Sequence, residues 1–321
     1  MSLKNKFLSY ELGGLVGTLL VAVVGLGLLF FDSTPSQFLT RSSYDWSFDL
    51  TRFASPNVKN SGVVIVYIDE KSLRDLKQPE NAPMDRRLQA QLLKQLKQDG
   101  AKAVAMDVVF SDPGPSPAAD AELAEAIHSN GRVVLGVDYN RPAQEDNGTL
   151  LKGGNGGGRL VLQKPLDEVL TYPYTPFRER MAKGGLVTLT YDIDFVARKH
   201  VHRLDQEDLA TVSPAERSNA PPSLSWAAAQ VAGVKLTHEP AGQPDERWIY
   251  YYGLPGEAIP GISYEHALDN QDPAFFRDKV VFVGALPITG NWTDKRDELR
   301  SPFSASTSPP KPRLVQAAVI Q

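Results

Sequence analysis

Four carboxylates stand where apolar runs give way to turns: Asp69 and Glu70 after VVIVYI, Asp107 within AKAVAMDVVF, and Asp112 just past it. In an open α/β sheet, ligands bind beyond the carboxyl ends of the strands, so these four form the candidate ligand or cation site. Paired carboxylates there can serve as general acid and base, or hold a divalent cation through oxygen ligands. The same residues also suit helix caps and turns, where a short acidic side chain accepts backbone N–H groups. No nucleophile motif, partnered histidine or cofactor fingerprint accompanies them. The sequence therefore points away from an enzyme and names no catalytic residue, cofactor or metal-ligand set.

The other chemistry-bearing residues are sparse. Of the five histidines, only His200 and His202 are close, two apart and so on one face of a strand. A zinc site needs three or four ligands, and no third is near, so these two read as solvated strand residues. The absence of cysteine removes disulfides, thiolate metal sites and cysteine nucleophiles. A net charge of −4, with no basic run interleaved with aromatics, excludes nucleic acid as a partner. With 321 residues, 42% of them hydrophobic, the chain has enough material for a sizeable core.

The elements that must position those residues alternate. VVIVYI is the unbroken apolar run of a strand buried on both faces. DRRLQAQLLKQLKQDG then places Leu88, Leu92, Leu93 and Leu96 at helical spacing and stops at Gly100. AKAVAMDVVF returns as a strand with Asp107 inside it, completing a right-handed parallel crossover. A helix follows, capped by Ser116 and stopped by Gly131, and then the strand RVVLGVDY. GGLVTLTYDIDFVARKHVHRL alternates, turns at DIDF and alternates again, which predicts an antiparallel hairpin. PPSLSWAAAQVAG is a helix, and RWIYYYG and DKVVFVGAL are strands. Residues 147–158, NGTLLKGGNGGG, are an exposed glycine-rich loop that lacks the Lys-Ser/Thr of a phosphate-binding loop. The fold class is α/β, a mostly parallel buried sheet flanked by helices with an added antiparallel hairpin, preceded by one transmembrane helix.

That helix is LGGLVGTLLVAVVGLGLLFF, residues 12–31, twenty residues without a charge. At about 1.5 Å rise per residue it spans about 30 Å, a bilayer core. Lys4 and Lys6 before it leave residues 1–11 in the cytoplasm and residues 32–321 outside, in a bacterial inner membrane facing the periplasm. Gly13 and Gly17, with Gly14, Thr18 and Ala22 beside them, repeat a four-residue spacing that lets another membrane helix approach closely. After it, SYDWSFDLTRFASP alternates Tyr44, Trp46, Phe48 and Leu50, a pattern also open to an amphipathic helix, and joins the span to the core.

Several stretches together resemble the type-2 CHASE domain: YIDEKSL, DRRLQAQLLKQLKQDGAKAVAMDVVFSDP with Asp120 after it, YDIDFVARKHVHRL, IYYYGLPGEAIPGISYEHAL and FRDKVVFVGALPITGNWTDKRDELRSPF. The likeness runs over about residues 40–321. Two departures are visible: PMDR stands where the family has Trp-Pro-Arg, and Asp194-Phe195 where its hairpin carries Asp-Gly. The resemblance implies an extracytoplasmic input module of bacterial cyclases, histidine kinases and related receptors, with a small-molecule ligand not defined. In such receptors the stretch similar to RLVQAAVIQ leads into membrane helices and a cytoplasmic effector, whereas this chain stops there. The sequence alone therefore favours a non-catalytic, single-pass accessory or scaffold subunit. Its helix and outer domain would pack, in the lipid bilayer, against other membrane protein subunits. The alternative is a periplasmic sensing module whose effector is on another chain.

Overall fold

A run such as VVIVYI has no polar face to offer solvent and is stable only with both faces covered. The computed structural model describes residues 34–51, 62–79, 83–140, 169–189, 196–204, 206–238, 246–252, 259–286 and 301–302, with single residues at 19, 21, 23, 25, 27, 192 and 194. Its strands are β1 (Val63–Ile68), β2 (Ala103–Met106), β3 (Val133–Tyr139), β4 (Leu170–Thr171), β5 (Lys183–Leu186), β6 (Lys199–Val201), β7 (Glu246–Trp248), β8 (Gly261–Ser263) and β9 (Val280–Ala285). Seven of them form one sheet in the order β4-β3-β2-β9-β1-β8, with β5 also paired to β3. Every pairing in it is parallel except β3 with β4.

The helices are α1 (Thr34–Thr51), α2 (Glu70–Asp75), α3 (Arg86–Gln98), α4 (Pro117–Asn130), α5 (Thr175–Arg178), α6 (Gln206–Thr211), α7 (Pro214–Arg217), α8 (Leu224–Val231) and α9 (Tyr264–Leu268). Leu92, Leu93 and Leu96 of α3 and Leu123 and Ile127 of α4 are fully buried against Val64, Val66, Val104 and Met106, the side chains of one sheet face. Each such side chain contributes about 1.5–3 kcal/mol of burial. On the opposite face, α8 packs Leu224, Ala227 and Ala228 against Ala105, Val134 and Phe282. That approach depends on Gly185, where an added Cβ would lie 2.6 Å from Cα of Leu224.

Two expectations are corrected, and a third reading that was open between two alternatives is resolved. Among the described residues of 186–202 no hairpin pairing is present: β5 pairs in parallel with β3, while β6 pairs antiparallel with the distant β7. The free edge of β3 and the close seat of α8 on Gly184-Gly185 give the first half of that segment a better partner than its own continuation. A local turn remains, closed by Asp192 N–H donating to Val196 O at 3.0 Å. Asp107 is the first residue beyond β2 rather than inside it, although its N–H still donates to Val283 O at 2.8 Å. The alternating aromatics of 44–50 belong to helix α1, whose Arg41, Tyr44, Asp45 and Phe48 share one face at i, i+3, i+4 and i+7.

Among the described residues no helix is long and apolar enough to cross a membrane. Most of the span 12–31 lies outside them, including Gly13, Gly14, Gly17, Thr18 and Ala22, as does the loop 147–158. The described positions within the span, 19, 21, 23, 25 and 27, are helical, and Leu19, Val21 and Val23 are 63%, 74% and 59% exposed.

Candidate functional site

The strand-end carboxylates follow different strands of the sheet. β9 runs between β1 and β2, so Asp69 and Asp107 follow strands about 10 Å apart. Asp69 caps α2: its Oδ1 accepts from Ser72 N–H at 2.8 Å and its Oδ2 from Ser263 Oγ at 2.8 Å. Burial would raise its carboxyl, but the Ser72 and Ser263 hydrogen bonds hold it below the ordinary value. It is an ionised cap with both oxygens in use. Glu70 opens the first turn of α2. Asp107 lies half-buried beside Gly284, and Asp112 is exposed, its Oδ2 accepting from Ser111 Oγ at 2.6 Å. Among the described residues no three histidine or acidic side chains gather as metal ligands.

Asp120 has a different task. Its Oδ1 meets Arg86 Nη1 at 2.5 Å and its Oδ2 accepts from Gly114 N–H at 2.9 Å. Arg86 also donates to Asp112 O and lies over the Phe177 ring at 5.0 Å. The pair staples the amino ends of α3 and α4 to the loop after β2.

Two constellations were not legible as sites. The first is a cavity of about 520 Å³ beside the edge strand β5. Arg178, Lys183, Arg203 and Arg217 line it, and none of the described residues that line it is acidic. Arg217 is held in place, Nε donating to Val212 O and Nη2 to Ala210 O, both at 2.8 Å. Arg178 lies 4.1 Å over the ring of Tyr172, whose phenol is pushed up by burial and then by Glu216. Lys183 and Arg203 have no ion-pair partner among the described residues. Trp226 and Gln230, one turn apart on α8, face the same space, and Gln230 Oε1 is buried without a hydrogen-bond partner. These cations come from four separate elements, so no local sequence pattern announces them.

The second constellation clamps α1 to the domain. Arg198, 2% exposed at its side chain, holds Asp45 of α1 through Nε at 2.9 Å and Nη2 at 2.7 Å. It also holds Asp194 through Nη1 at 2.8 Å and Nη2 at 2.7 Å, and Asp192 through Nη1 at 2.8 Å. Burial would raise the Asp194 carboxyl, but the Arg198 hydrogen bond and charge bring it below the ordinary value. Arg41 adds a second cation, 3.4 Å from Asp192. Beside the ion cluster, Phe48 packs with Ala197, Ile249 and Tyr251, and Tyr44 donates its hydroxyl to Ile249 O. The spacing Asp192, Asp194, Arg198 was the available signal.

The segment between clamp and cavity is short. His200 and His202 are not solvated, contrary to expectation: Nε2 of His200 lies 3.1 Å from Ser223 Oγ and 3.3 Å from Ser225 Oγ. His202 is 7% exposed and stacks on Trp226 with centroids 4.5 Å apart. Burial, reinforced by His202, lowers His200 to about 4, so its ring is neutral near pH 7. Ser223 N–H donates to His202 O at 2.9 Å, tying the end of this segment to the cap of α8.

Comparison with known proteins bears on the whole arrangement. No curated protein and no solved structure matches the chain. The family model of the CHASE2 domain matches residues 18–321, which takes in both the clamp and the cavity. The chain belongs to the CHASE2 family of sensory domains.

Proposed function

We propose that this chain is the extracytoplasmic input domain of a bacterial signalling system, and that it senses a small molecule held in the cavity beside β5. In this account residues 12–31 cross the cytoplasmic membrane with the amino terminus inside, and α1 carries the state of the outer domain toward that span. Membership of a sensory family favours this over a scaffold subunit.

One observation carries the proposal: the short segment 198–203, with β6 inside it, grips α1 at one end and lines the cavity at the other. Five residues of chain cover at most about 17 Å even when fully extended, so an occupant drawing on Arg203, or on Trp226 where it stacks on His202, pulls on the clamp through a short path. A buried, five-bond guanidinium cluster has discrete arrangements rather than a continuum, which is what a two-state output element requires.

A thermal-shift screen of the full chain in mild detergent against a panel of small metabolites tests this. A ligand that binds only the folded state raises Tm. The expected result is a panel member that raises Tm in the wild type but not in Ser218→Trp, which places an indole in the cavity wall. A panel that shifts neither protein contradicts the sensing role. Protease added to intact spheroplasts tests the location: the outer domain should be digested, and full protection contradicts the orientation.

A further inference from the structure

Resting on that sensory reading, we infer that the cavity beside β5 takes a small hydroxylated anion carrying at least two negative charges, such as a sugar phosphate or a hydroxy-polycarboxylate. Four cationic side chains, Arg178, Lys183, Arg203 and Arg217, border one space with no carboxylate among the described lining residues, in a chain whose net charge is −4. Gathering like charges without counter-charge is unfavourable unless an anion neutralises them, and a concave wall intensifies their field. The contrast with Arg198 is informative: there the fold supplies three carboxylates for one guanidinium, whereas Lys183 and Arg203 receive none among the described residues.

The division of labour within the cavity fixes the class further. Arg217 spends Nε and Nη2 on backbone carbonyls, so it is a pre-positioned charge whose reorganisation on binding is small. Lys183 and Arg203 retain their donors, and a guanidinium presents a planar fork that matches a carboxylate or a phosphate bidentately. The buried Gln230 Oε1 lacks a donor, an acceptor that a hydroxyl hydrogen of the occupant would satisfy. The volume of about 520 Å³ exceeds what an inorganic ion needs and falls within the range of metabolite pockets. Trp226, stacked on His202 and lining the cavity, gives the uncharged part of the occupant an aromatic surface.

The test is calorimetric titration of the full chain in mild detergent with citrate, glucose 6-phosphate and glucose, at low and at raised salt. At least one of the two anions is expected to bind with a Kd below about 1 mM, weakening as salt rises. Which anion binds distinguishes the carboxylate source from the phosphate source. Lys183→Gln with Arg203→Gln should weaken that binding at least about tenfold for each charge removed, with the far-ultraviolet spectrum unchanged. Lys77→Gln with Lys102→Gln, two exposed surface cations, should leave it intact and so exclude diffuse attraction. Equal weakening by both double variants overturns the inference, as does failure of both anions. If the anions fail while glucose or another neutral compound binds in a Ser218-dependent way, the charge assignment falls and the sensory reading stands. If nothing binds at all, both fall. Should the glutamine variant not fold, Arg203→Lys, which keeps the charge and loses the fork, should weaken binding without abolishing it, and unchanged affinity contradicts the site.

Discussion

Arg198 and Arg203 stand on either side of β6, the first closed around Asp45 of α1 at 2.7 Å and the second facing the cavity without an ion-pair partner among the described residues. One strand of three residues thus separates a saturated guanidinium from an unsaturated one. The saturated partner is structural, because removing either side of a buried pair strands the other charge.

Arg198→Met should therefore destabilise the domain by about 3 kcal/mol or more, leaving Asp45, Asp192 and Asp194 to repel one another. Arg198→Lys keeps one charge but not the bidentate geometry and should cost about 1–2 kcal/mol. Urea unfolding measures both, and limited proteolysis should cut near α1 sooner in Arg198→Met. Equal stability of the three proteins contradicts the clamp.

Asp69 and Asp120 should separate by mechanism. Asp120→Ala leaves Arg86 buried and unpaired and should cost about 3–5 kcal/mol. Asp69→Ala removes a cap and should cost about 1–2 kcal/mol. Neither calcium nor magnesium should raise the wild-type Tm, and a rise lost in Asp107→Asn would restore the strand-end carboxylates as a cation site.

Stability should fall with acidification before the carboxylates titrate. His200 is lowered to about 4 in the fold and is near 6.5 when unfolded, so between these values the unfolded chain binds the extra proton. The His200 contribution is complete above pH 6.5 and is lost as pH falls toward 4, on the order of 3 kcal/mol in all. Asp69 and Asp194, held below their ordinary value, lose their contribution only at lower pH. His200→Gln should flatten the Tm profile from pH 6.5 to 4.5, and an unchanged slope contradicts the assignment.

What the sequence disclosed and what it withheld divide along physical lines. The parallel sheet and its helices were legible because their signals are local: Ser116 caps α4 through its Oγ, Gly131 ends it at φ 73°, and Leu92, Leu93 and Leu96 share a stripe. The hairpin failed because alternation records that a strand exists, not which edge it meets, and β3 outcompeted the near neighbour. The candidate carboxylates are a related case. Acidic residues at strand ends are conspicuous in sequence, yet Asp69 is consumed by Ser72 and Ser263. The cavity draws Arg178, Arg203 and Arg217 from segments that only tertiary packing brings together. His200 and His202 sit on one strand face as their spacing implied, but that face packs on α8 instead of meeting solvent.

The central claim, that filling the cavity alters the hold on α1, can be tested without knowing the ligand. The chain has no cysteine, so Gln230→Cys can be labelled uniquely with an ethylsulfonate methanethiosulfonate, placing an anionic occupant in the cavity that reducing agent removes again. Amide hydrogen exchange is then followed over residues 41–48 in the labelled and reduced states of one sample. Exchange in that stretch should change at least about threefold on labelling, revert on reduction, and be insensitive to labelling when Arg198→Lys is added. A response confined to β5, α8 and the other cavity walls, with residues 41–48 unmoved, would contradict it.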